Sequence, residues 1–293
     1  MSLWVVVTLL AAAAQTTRFV LQKRLGQAGL SATGATFARF LYAAPLALIA
    51  ALGTRAALDV PVPAMGLRFW GFIAVGGLAQ ILATELTVRL FALRNFAVGV
   101  AFTKTEIVLV ALFSALVLGE VPSGLGIAAI ALGFVGVVAM ARTGGAVSGR
   151  AVGMGLAAGA LFGMAATGYR GAALALEPAP FFLRATVALA AATALQTAVM
   201  AVWLLGRDRE AFARVLRGWR ATAPVGITGM LGSLGWFTAF SLQSAAYVRA
   251  LGQVELLFTL AASVVIFHER LRWRELAGIG LIGVSVVLLV QAV

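Results

Sequence analysis

Apolar runs long enough to cross a bilayer follow one another along almost the whole chain, with short connections between them. A helix rises about 1.5 Å per residue, so about 20 apolar residues span a hydrocarbon core of about 30 Å. Of the 293 residues, 62% are hydrophobic and only 11% are charged, which is outside the usual composition of soluble domains. The pattern predicts an all-α membrane protein with ten transmembrane helices and no separate soluble domain.

Two glutamates lie inside these apolar runs, where a charge is costly and requires a structural or functional reason. Glu106 lies in one run, and Glu255 lies in another run 149 positions later. The same offset aligns residues 91–120 with residues 240–269 without a gap. Because a repeated glutamate inside a membrane span is uncommon, we interpret the chain as two copies of one unit.

The two predicted units are residues 1–145 and residues 146–293, with five helices each, joined by the glycine-rich segment 143–150. An odd number of spans turns the second unit upside down relative to the first. Inverted repeats of this kind are typical of secondary transporters, in which the substrate site lies near the midplane and one repeat rocks against the other. We therefore expect a pathway with alternating access between the two halves.

Basic residues give the chain a formal net charge of +12, and they are spread over successive predicted loops. There is no basic face interleaved with aromatic residues, so we expect no nucleic-acid partner. Lysine and arginine are more frequent in the odd-numbered loops, and positive loops remain in the cytoplasm. The distribution predicts that the odd-numbered loops face the cytoplasm and that both termini face away from it.

Residues that support metal or acid–base catalysis are scarce. The chain has no cysteine, a single histidine, His268, and two aspartates, Asp59 and Asp208, both in predicted loops. An intramembrane group-transfer enzyme, the alternative class of function, needs acidic clusters or metal ligands. We expect no metal, no cofactor and no enzymatic activity. Since no phosphate-binding loop is present, active transport would be secondary, with a proton as one candidate coupling ion.

Candidate substrate-binding residues are the polar and aromatic side chains within the apolar runs, because an amino acid needs a few polar contacts and an apolar or aromatic wall. Lys104 precedes Glu106 by two residues and is expected to keep that carboxylate ionised. Glu255 follows neutral Gln253 instead, and is expected to be unpaired. The alternative is that both glutamates are purely structural. The full candidate set is Gln15, Thr16, Gln80, Thr84, Thr103, Lys104, Glu106, Phe162, Trp236, Gln253 and Glu255.

Trp236 is the aromatic candidate with the most specific context. It follows four glycines spaced three residues apart within residues 226–235. Such spacing weakens an α-helix, so we expect this helix to bend or locally unwind there. The indole would then project into a cavity at the midplane. The alternative is that the indole fills the space beside the glycines.

Other charges within predicted helices have structural explanations available. Arg18, in the second half of the first helix, either extends to the membrane interface or faces a wet interior. Glu85 and Arg89 are four residues apart and can pair on one helix face. These residues are therefore left outside the candidate set.

Short motifs recur at equivalent places in the two halves. Each half has an arginine near the start of its second helix, a small residue followed by leucine at the start of its fourth helix, and a glutamate that ends the fourth helix. They are Arg39, Ala92, Leu93 and Glu120 in the first half and Arg184, Ser241, Leu242 and Glu269 in the second. In these motifs each half resembles one unit of the EamA-type exporters of the drug/metabolite transporter (DMT) superfamily. Residues 102–106 (FTKTE) are most similar to the YddG-like aromatic amino-acid exporters.

The resemblance implies a multi-pass protein of the bacterial inner membrane that exports small amphipathic metabolites, aromatic or other amino acids, without a cofactor. Other metabolites or cationic drugs are the alternative cargo in the same superfamily. The family usually has Glu-Pro where this chain has Glu-Ile at 106–107 and Glu-Leu at 255–256, so a proline kink is not expected. Two fused repeats can form the pathway alone, and we expect a monomer.

Overall fold

Helices form nearly all of the computed structural model, which describes residues 2–93, 103–141, 149–267 and 273–292. A short 3-10 turn directly precedes two of the α-helices: η1 is Thr103–Thr105 and η2 is Gly252–Val254. The α-helices are α1 (Leu3–Gln27), α2 (Ala32–Leu58), α3 (Leu67–Leu93), α4 (Glu106–Leu118), α5 (Gly124–Ala141), α6 (Gly149–Leu174), α7 (Phe181–Arg207), α8 (Arg209–Arg217), α9 (Trp219–Leu242), α10 (Ala245–Leu251), α11 (Glu255–Phe267) and α12 (Trp273–Gln291).

Seven helical segments in the described ranges are long and apolar enough to cross a membrane. They are Leu3–Gln27, Ala32–Leu58, Leu67–Phe91, Gly149–Leu174, Phe181–Arg207, Trp219–Leu242 and Ala245–Ile266. The apolar helices Gly124–Gly136 and Gly280–Gln291 are shorter. The prediction of an all-helical, multi-pass membrane protein is thus confirmed, while the count of ten spans and the boundary after residue 145 stay predictions. Residues 143–148 of the predicted linker, His268 and Glu269 lie outside the described residues, and so do the side chains of Ala92 and Leu93.

A 3-10 turn directly precedes the intramembrane glutamate in each half. Glu106 begins α4 after η1, and Glu255 begins α11 after η2. Both turns are three residues long and both following helices are 13 residues long, at the same offset of 149 residues as the sequence repeat. Each carboxylate therefore lies in the first turn of a helix, where the helix dipole favours negative charge. Both 3-10 turns form although the proline that the family usually has after each glutamate is absent from this chain.

The most extensive helix packing joins the two halves, here the helices before residue 142 and those after residue 148. α3 packs against α6, α1 against α9, α5 against α12, and α2 against α7. A two-fold relation between the halves exchanges α1 with α6 and α3 with α9, so the α3–α6 pair becomes the α9–α1 pair. It also exchanges α5 with α12 and α2 with α7, so each of these two pairs is exchanged with itself. This is the pairing that a two-fold relation between the halves produces.

The glycines of α9 allow other helices to approach closely, and they do not unwind it. α9 is one continuous helix from Trp219 to Leu242, so the prediction of local unwinding is wrong. A Cβ atom added at Gly226 would overlap the Cβ atom of Tyr42, and one added at Gly235 would lie 2.7 Å from the Cβ atom of Ala11. The three-residue spacing places these glycines against α2 and α1, where small residues let helices pack closely.

Candidate substrate-binding site

Glu255 is the centre of a group of polar contacts that joins the two halves. Its Oε2 atom accepts hydrogen bonds from Gln15 Nε2 and from Lys104 Nζ, each at 2.7 Å. The Oε1 atom of Gln15 in turn accepts a hydrogen bond of 3.0 Å from the indole of Trp236. The sequence expectation of an unpaired Glu255 is therefore wrong, because Lys104 of the other half supplies its positive partner.

Glu106 is held by two cations. Lys104 Nζ lies 3.5 Å from its Oε1 atom, and Arg249 Nη2 donates to the same oxygen at 2.5 Å. The Arg249 guanidinium also lies 4.6 Å from the ring centre of Trp236, a distance typical of cation–π contacts. These contacts complete a closed circuit, which we call the interhalf ring. Its members are Gln15, Lys104, Glu106, Trp236, Arg249 and Glu255.

The interhalf ring places two carboxylates and two cations where water is excluded. Its side chains are at most 8% exposed. Removing one partner of a buried ion pair costs about 3 to 5 kcal/mol, because the other charge is left uncompensated. One oxygen of each carboxylate, Oε2 of Glu106 and Oε1 of Glu255, has no hydrogen-bond partner among the described residues. These two acceptors are available to a positively charged group of a cargo or to a proton.

Glycines set the positions of the two 3-10 turns that carry the ring. Gly159 of α6 packs on η1 so closely that an added Cβ atom would overlap the Thr105 hydroxyl and lie 2.9 Å from the Thr103 carbonyl oxygen. Gly252 of η2 packs on the indole of Trp236, with its Cβ position 2.6 Å from Cη2. Any side chain at either position would displace a ring member, so the backbone contacts fix the ring geometry.

An aromatic cavity, here the central cavity, adjoins the interhalf ring. Its volume of about 20 Å³ is room for roughly one water molecule. The rings of Tyr169 and Phe237 lie 4.3 Å apart, and those of Trp236 and Phe240 lie 6.3 Å apart in a stacked arrangement. The cavity is lined by Gln15, Gln80, Phe162, Ala165, Ala166, Tyr169, Ser233, Trp236, Phe237, Phe240 and Arg249. An amino acid fits only after these side chains move apart, so the cavity is in a closed state.

Three polar side chains on one wall hold each other in place. Gln80 Oε1 accepts hydrogen bonds of 2.8 Å from the Tyr169 hydroxyl and from Gln196 Nε2. Gln196 Nε2 also lies 3.1 Å from the Tyr169 oxygen and donates to the backbone of α3 at Gly77. This network joins α3, α6 and α7 and fixes the side of the cavity opposite the ring.

A larger cavity, here the vestibule, lies toward the odd-numbered loops. Its volume is about 580 Å³, within the 300 to 1,000 Å³ typical of small-molecule sites. It is lined by Gln22, Lys23, Gly26, Gln27, Leu30, Ala32, Leu86, Val88, Arg89, Phe91, Arg150 and Met154. The basic residues of these loops predict a cytoplasmic location for this end of the molecule.

Polar contacts close the opposite end of the molecule. Arg170 of α6 forms an ion pair of 2.7 Å with Glu120, which follows α4, and its Nη1 atom donates to the carbonyl oxygen of Phe240 at 2.7 Å. Arg184 of α7 donates to the carbonyl oxygen of Ser241 at 3.2 Å. These contacts join α4, α6, α7 and α9. The described residues thus form a cavity at one end of the molecule and a set of polar contacts at the other.

Comparison with known proteins gives a family for one half of the chain. Residues 150–291 match the EamA-like transporter family. This is a family of transporters, and the match agrees with the resemblance that the sequence motifs of this half indicate. No curated protein shows a significant match to the chain. A crystal structure of another protein superposes on this chain with a TM-score of 0.64 at 17% sequence identity. The match covers 97% of this chain and 99% of the other chain, which shows a shared fold.

The structure brings seven of the sequence candidates together. Five belong to the interhalf ring, and Gln80 and Phe162 line the central cavity. Four others lie apart from it. Thr16 Oγ1 donates to the backbone of its own helix at Ala12, and Thr84 Oγ1 accepts a hydrogen bond from Arg39. The remaining two are Thr103 and Gln253. Thr103 packs against Gly159 of α6, and Gln253 packs so closely against Gly133 of α5 that any side chain at position 133 would overlap it.

Some residues of the site escape sequence analysis. Arg249 is not among the sequence candidates, yet it lies within α10 and is 8% exposed. Its position six residues before Glu255, inside an apolar run, is the signal that could have identified it. Tyr169, Phe237 and Phe240 carry no distinguishing pattern, because aromatic residues in membrane helices are common.

Proposed function

We propose that this protein is a secondary transporter that exports small amphipathic metabolites, in particular amino acids with aromatic or other apolar side chains, across the bacterial inner membrane. The observation that carries the proposal is the interhalf ring, a buried set of paired charges that borders an aromatic cavity between the two halves. Intramembrane charges of this kind mark substrate and ion pathways. The match of the C-terminal half to a transporter family supports the same function.

The groups around the central cavity suit a zwitterion with an apolar side chain. The free carboxylate oxygens of Glu106 and Glu255 can accept hydrogen bonds from an ammonium group. Trp236, Tyr169 and Phe162 offer ring surfaces for the side chain, and a paired ring contributes about 0.5 to 1.5 kcal/mol beyond burial. A small apolar site with a few well-placed polar groups is the usual form of a metabolite site.

Alternating access would operate between the vestibule and the opposite end. The vestibule gives access from the cytoplasm, while the Arg170 contacts close the other side. Rocking of one half against the other would open those contacts and close the vestibule around the interhalf ring. The ring joins both halves of one chain, so a monomer suffices. A proton is the candidate coupling ion, since Glu255 is a carboxylate whose Lys104 contact would change on protonation.

Transport by purified protein in liposomes tests the proposal. Vesicles loaded with unlabelled phenylalanine should accumulate labelled phenylalanine faster than protein-free vesicles, and leucine should be carried more slowly. The Glu255→Gln variant should lose this exchange, because Glu255 accepts hydrogen bonds from both Gln15 and Lys104. An imposed pH gradient should change the rate if protons are coupled. Absence of exchange with every amino acid, or faster transport of a cationic dye, would overturn the amino-acid assignment.

A further inference from the structure

Arg18 is a fully buried cation that lacks an acidic partner among the described residues. Its side chain is 1% exposed, so it does not extend to the membrane interface. Nη1 donates to Gln22 Oε1 at 2.6 Å, and the guanidinium lies 4.2 Å from the ring centre of Phe19. Its Nη2 atom has no hydrogen-bond partner within the described structure. A buried donor of this kind is costly unless something binds it.

Arg18 lies between the vestibule and the central cavity. Residues three or four positions apart share a face of a helix, and Gln15, Arg18 and Gln22 follow this spacing on α1. Gln22 lines the vestibule and Gln15 lines the central cavity. A cargo that passes from one cavity to the other along this face of α1 therefore meets Arg18 midway, about one helical turn from each.

The buried charges of the membrane-spanning part do not balance. The buried cations in the described segments are Arg18, Arg39, Lys104 and Arg249, and the buried anions are Glu106 and Glu255. Lys104 and Arg249 are paired with those two carboxylates. Arg39 donates to the Thr84 hydroxyl at 2.7 Å and lies 4.9 Å from the Phe40 ring centre, contacts that leave its charge uncompensated. Two positive charges are thus in excess.

The excess is concentrated around Arg18. A Cβ atom added at Gly229 would lie 3.2 Å from Arg18 Cδ and 3.1 Å from Arg39 Cγ, so the two arginine side chains cross the same glycine of α9. The Arg18 charge is repelled by Arg39 and Arg249 and attracted by Glu255. An anion bound at this point would relieve the repulsion and supply the missing acceptor.

Basic residues of the vestibule also favour an anion at its entrance. Lys23, Arg89 and Arg150 are among its lining residues. A cleft lined by one sign of charge raises the local concentration of ions of the opposite sign. The basic residues thus extend from the mouth to Arg18.

We propose that Arg18 binds a carboxylate group of the cargo as it moves from the vestibule to the central cavity. The free carboxylate is then the obligatory feature of the cargo, and the ammonium group is dispensable. This inference rests on the proposed transport function and narrows its substrate class to organic carboxylates. Arg18 is the specificity-determining residue that accepts carboxylates and rejects matched neutral or cationic compounds.

Ligand-induced thermal stabilisation of the purified full chain in detergent tests this directly. The probes are phenylalanine, N-acetylphenylalanine and phenylalaninamide, with the same series built on leucine. We expect both acids to raise the unfolding temperature more than the amide does. Arg18→Gln should weaken binding of the acids by about 10- to 100-fold, the usual effect of losing a hydrogen bond to a charged group. Arg18→Lys should retain part of the affinity for the acids.

Arg39→Gln is the matched control, since it removes a neighbouring buried arginine that already has a hydrogen-bond partner. It should lower stability and preserve the preference for acids over the amide. Two results with the wild-type protein would overturn the proposal: the amide stabilises it as much as the acids do, or no acid stabilises it. Acid binding that survives Arg18→Gln would overturn the role of Arg18. Arg18-dependent acid binding without transport in liposomes would contradict the transport function and leave the carboxylate site intact.

Discussion

Replacing Gly159 with alanine is expected to displace the 3-10 turn η1 and, with it, the two charged residues that η1 positions. The added Cβ atom would lie 2.9 Å from the Thr103 carbonyl oxygen and 3.1 Å from the Glu106 backbone nitrogen, closer than the ~3.5 Å of an ordinary non-bonded contact. Both atoms belong to the backbone, so the turn must move as a unit. Overpacking of this kind costs about 1 to 3 kcal/mol.

Alanine also stabilises a helix interior relative to glycine by about 0.8 to 1 kcal/mol, and a control on the same helix removes this contribution. Gly153 of α6 has no atom within 4 Å of its Cβ position. The difference between Gly159→Ala and Gly153→Ala should therefore be the overpacking cost alone, a lower unfolding temperature by about 2 to 6 °C at roughly 2 °C per kcal/mol. Thermal unfolding in detergent measures it. Equal unfolding temperatures and equal phenylalanine exchange for the two variants would refute the role of this contact.

Three further sets of variants test the interhalf ring, the aromatic wall of the central cavity and the polar contacts at the opposite end. Lys104→Gln and Glu255→Gln should each destabilise the protein by about 3 to 5 kcal/mol, because the other charge of the pair is left without its partner. The double variant should be more stable than either, because both charges of this pair are then absent, and thermal unfolding of the four proteins checks this. Trp236→Ala should slow exchange of phenylalanine more than that of leucine, whereas Trp203→Ala, at a side chain 56% exposed, should slow neither. Arg170→Gln should increase access of an impermeant reagent to the central cavity from the non-cytoplasmic side, and unchanged access would contradict its role in closure.

The fold follows from local signals in the sequence. Hydropathy predicts the helices because a bilayer admits few other structures, and an isolated charge in an apolar run is recognisable without knowledge of its neighbours. The offset between Glu106 and Glu255 recurs between the two 3-10 turns, although the sequence does not predict the turns themselves. The continuity of α9 could not be predicted in this way, because its glycines serve contacts with α1 and α2.

The pairing of charges could not be predicted from the sequence, because it depends on which helices meet. Lys104 is two residues from Glu106, and residues at that spacing do not face each other on a helix. Its Nζ atom lies 3.5 Å from Glu106 Oε1, but it donates its hydrogen bond to Glu255, 151 positions away. Gln15 and Glu255 are separated by 240 positions. These side chains meet because α1 packs on α9 and because the two 3-10 turns position Lys104 and Glu255. The sequence therefore identifies several members of the site but does not give the partners of Glu255.

Access to the central cavity from both sides of the membrane is the most direct test of the account. The chain has no cysteine, so Ser233→Cys places a single thiol in the cavity wall. Ala47→Cys, at a fully buried position of α2 outside the cavity, is the control. In oriented vesicles with phenylalanine present, an impermeant thiol reagent should label Ser233→Cys from either side and leave Ala47→Cys unlabelled. Labelling from one side only, under every ligand condition, would contradict alternating access around the interhalf ring.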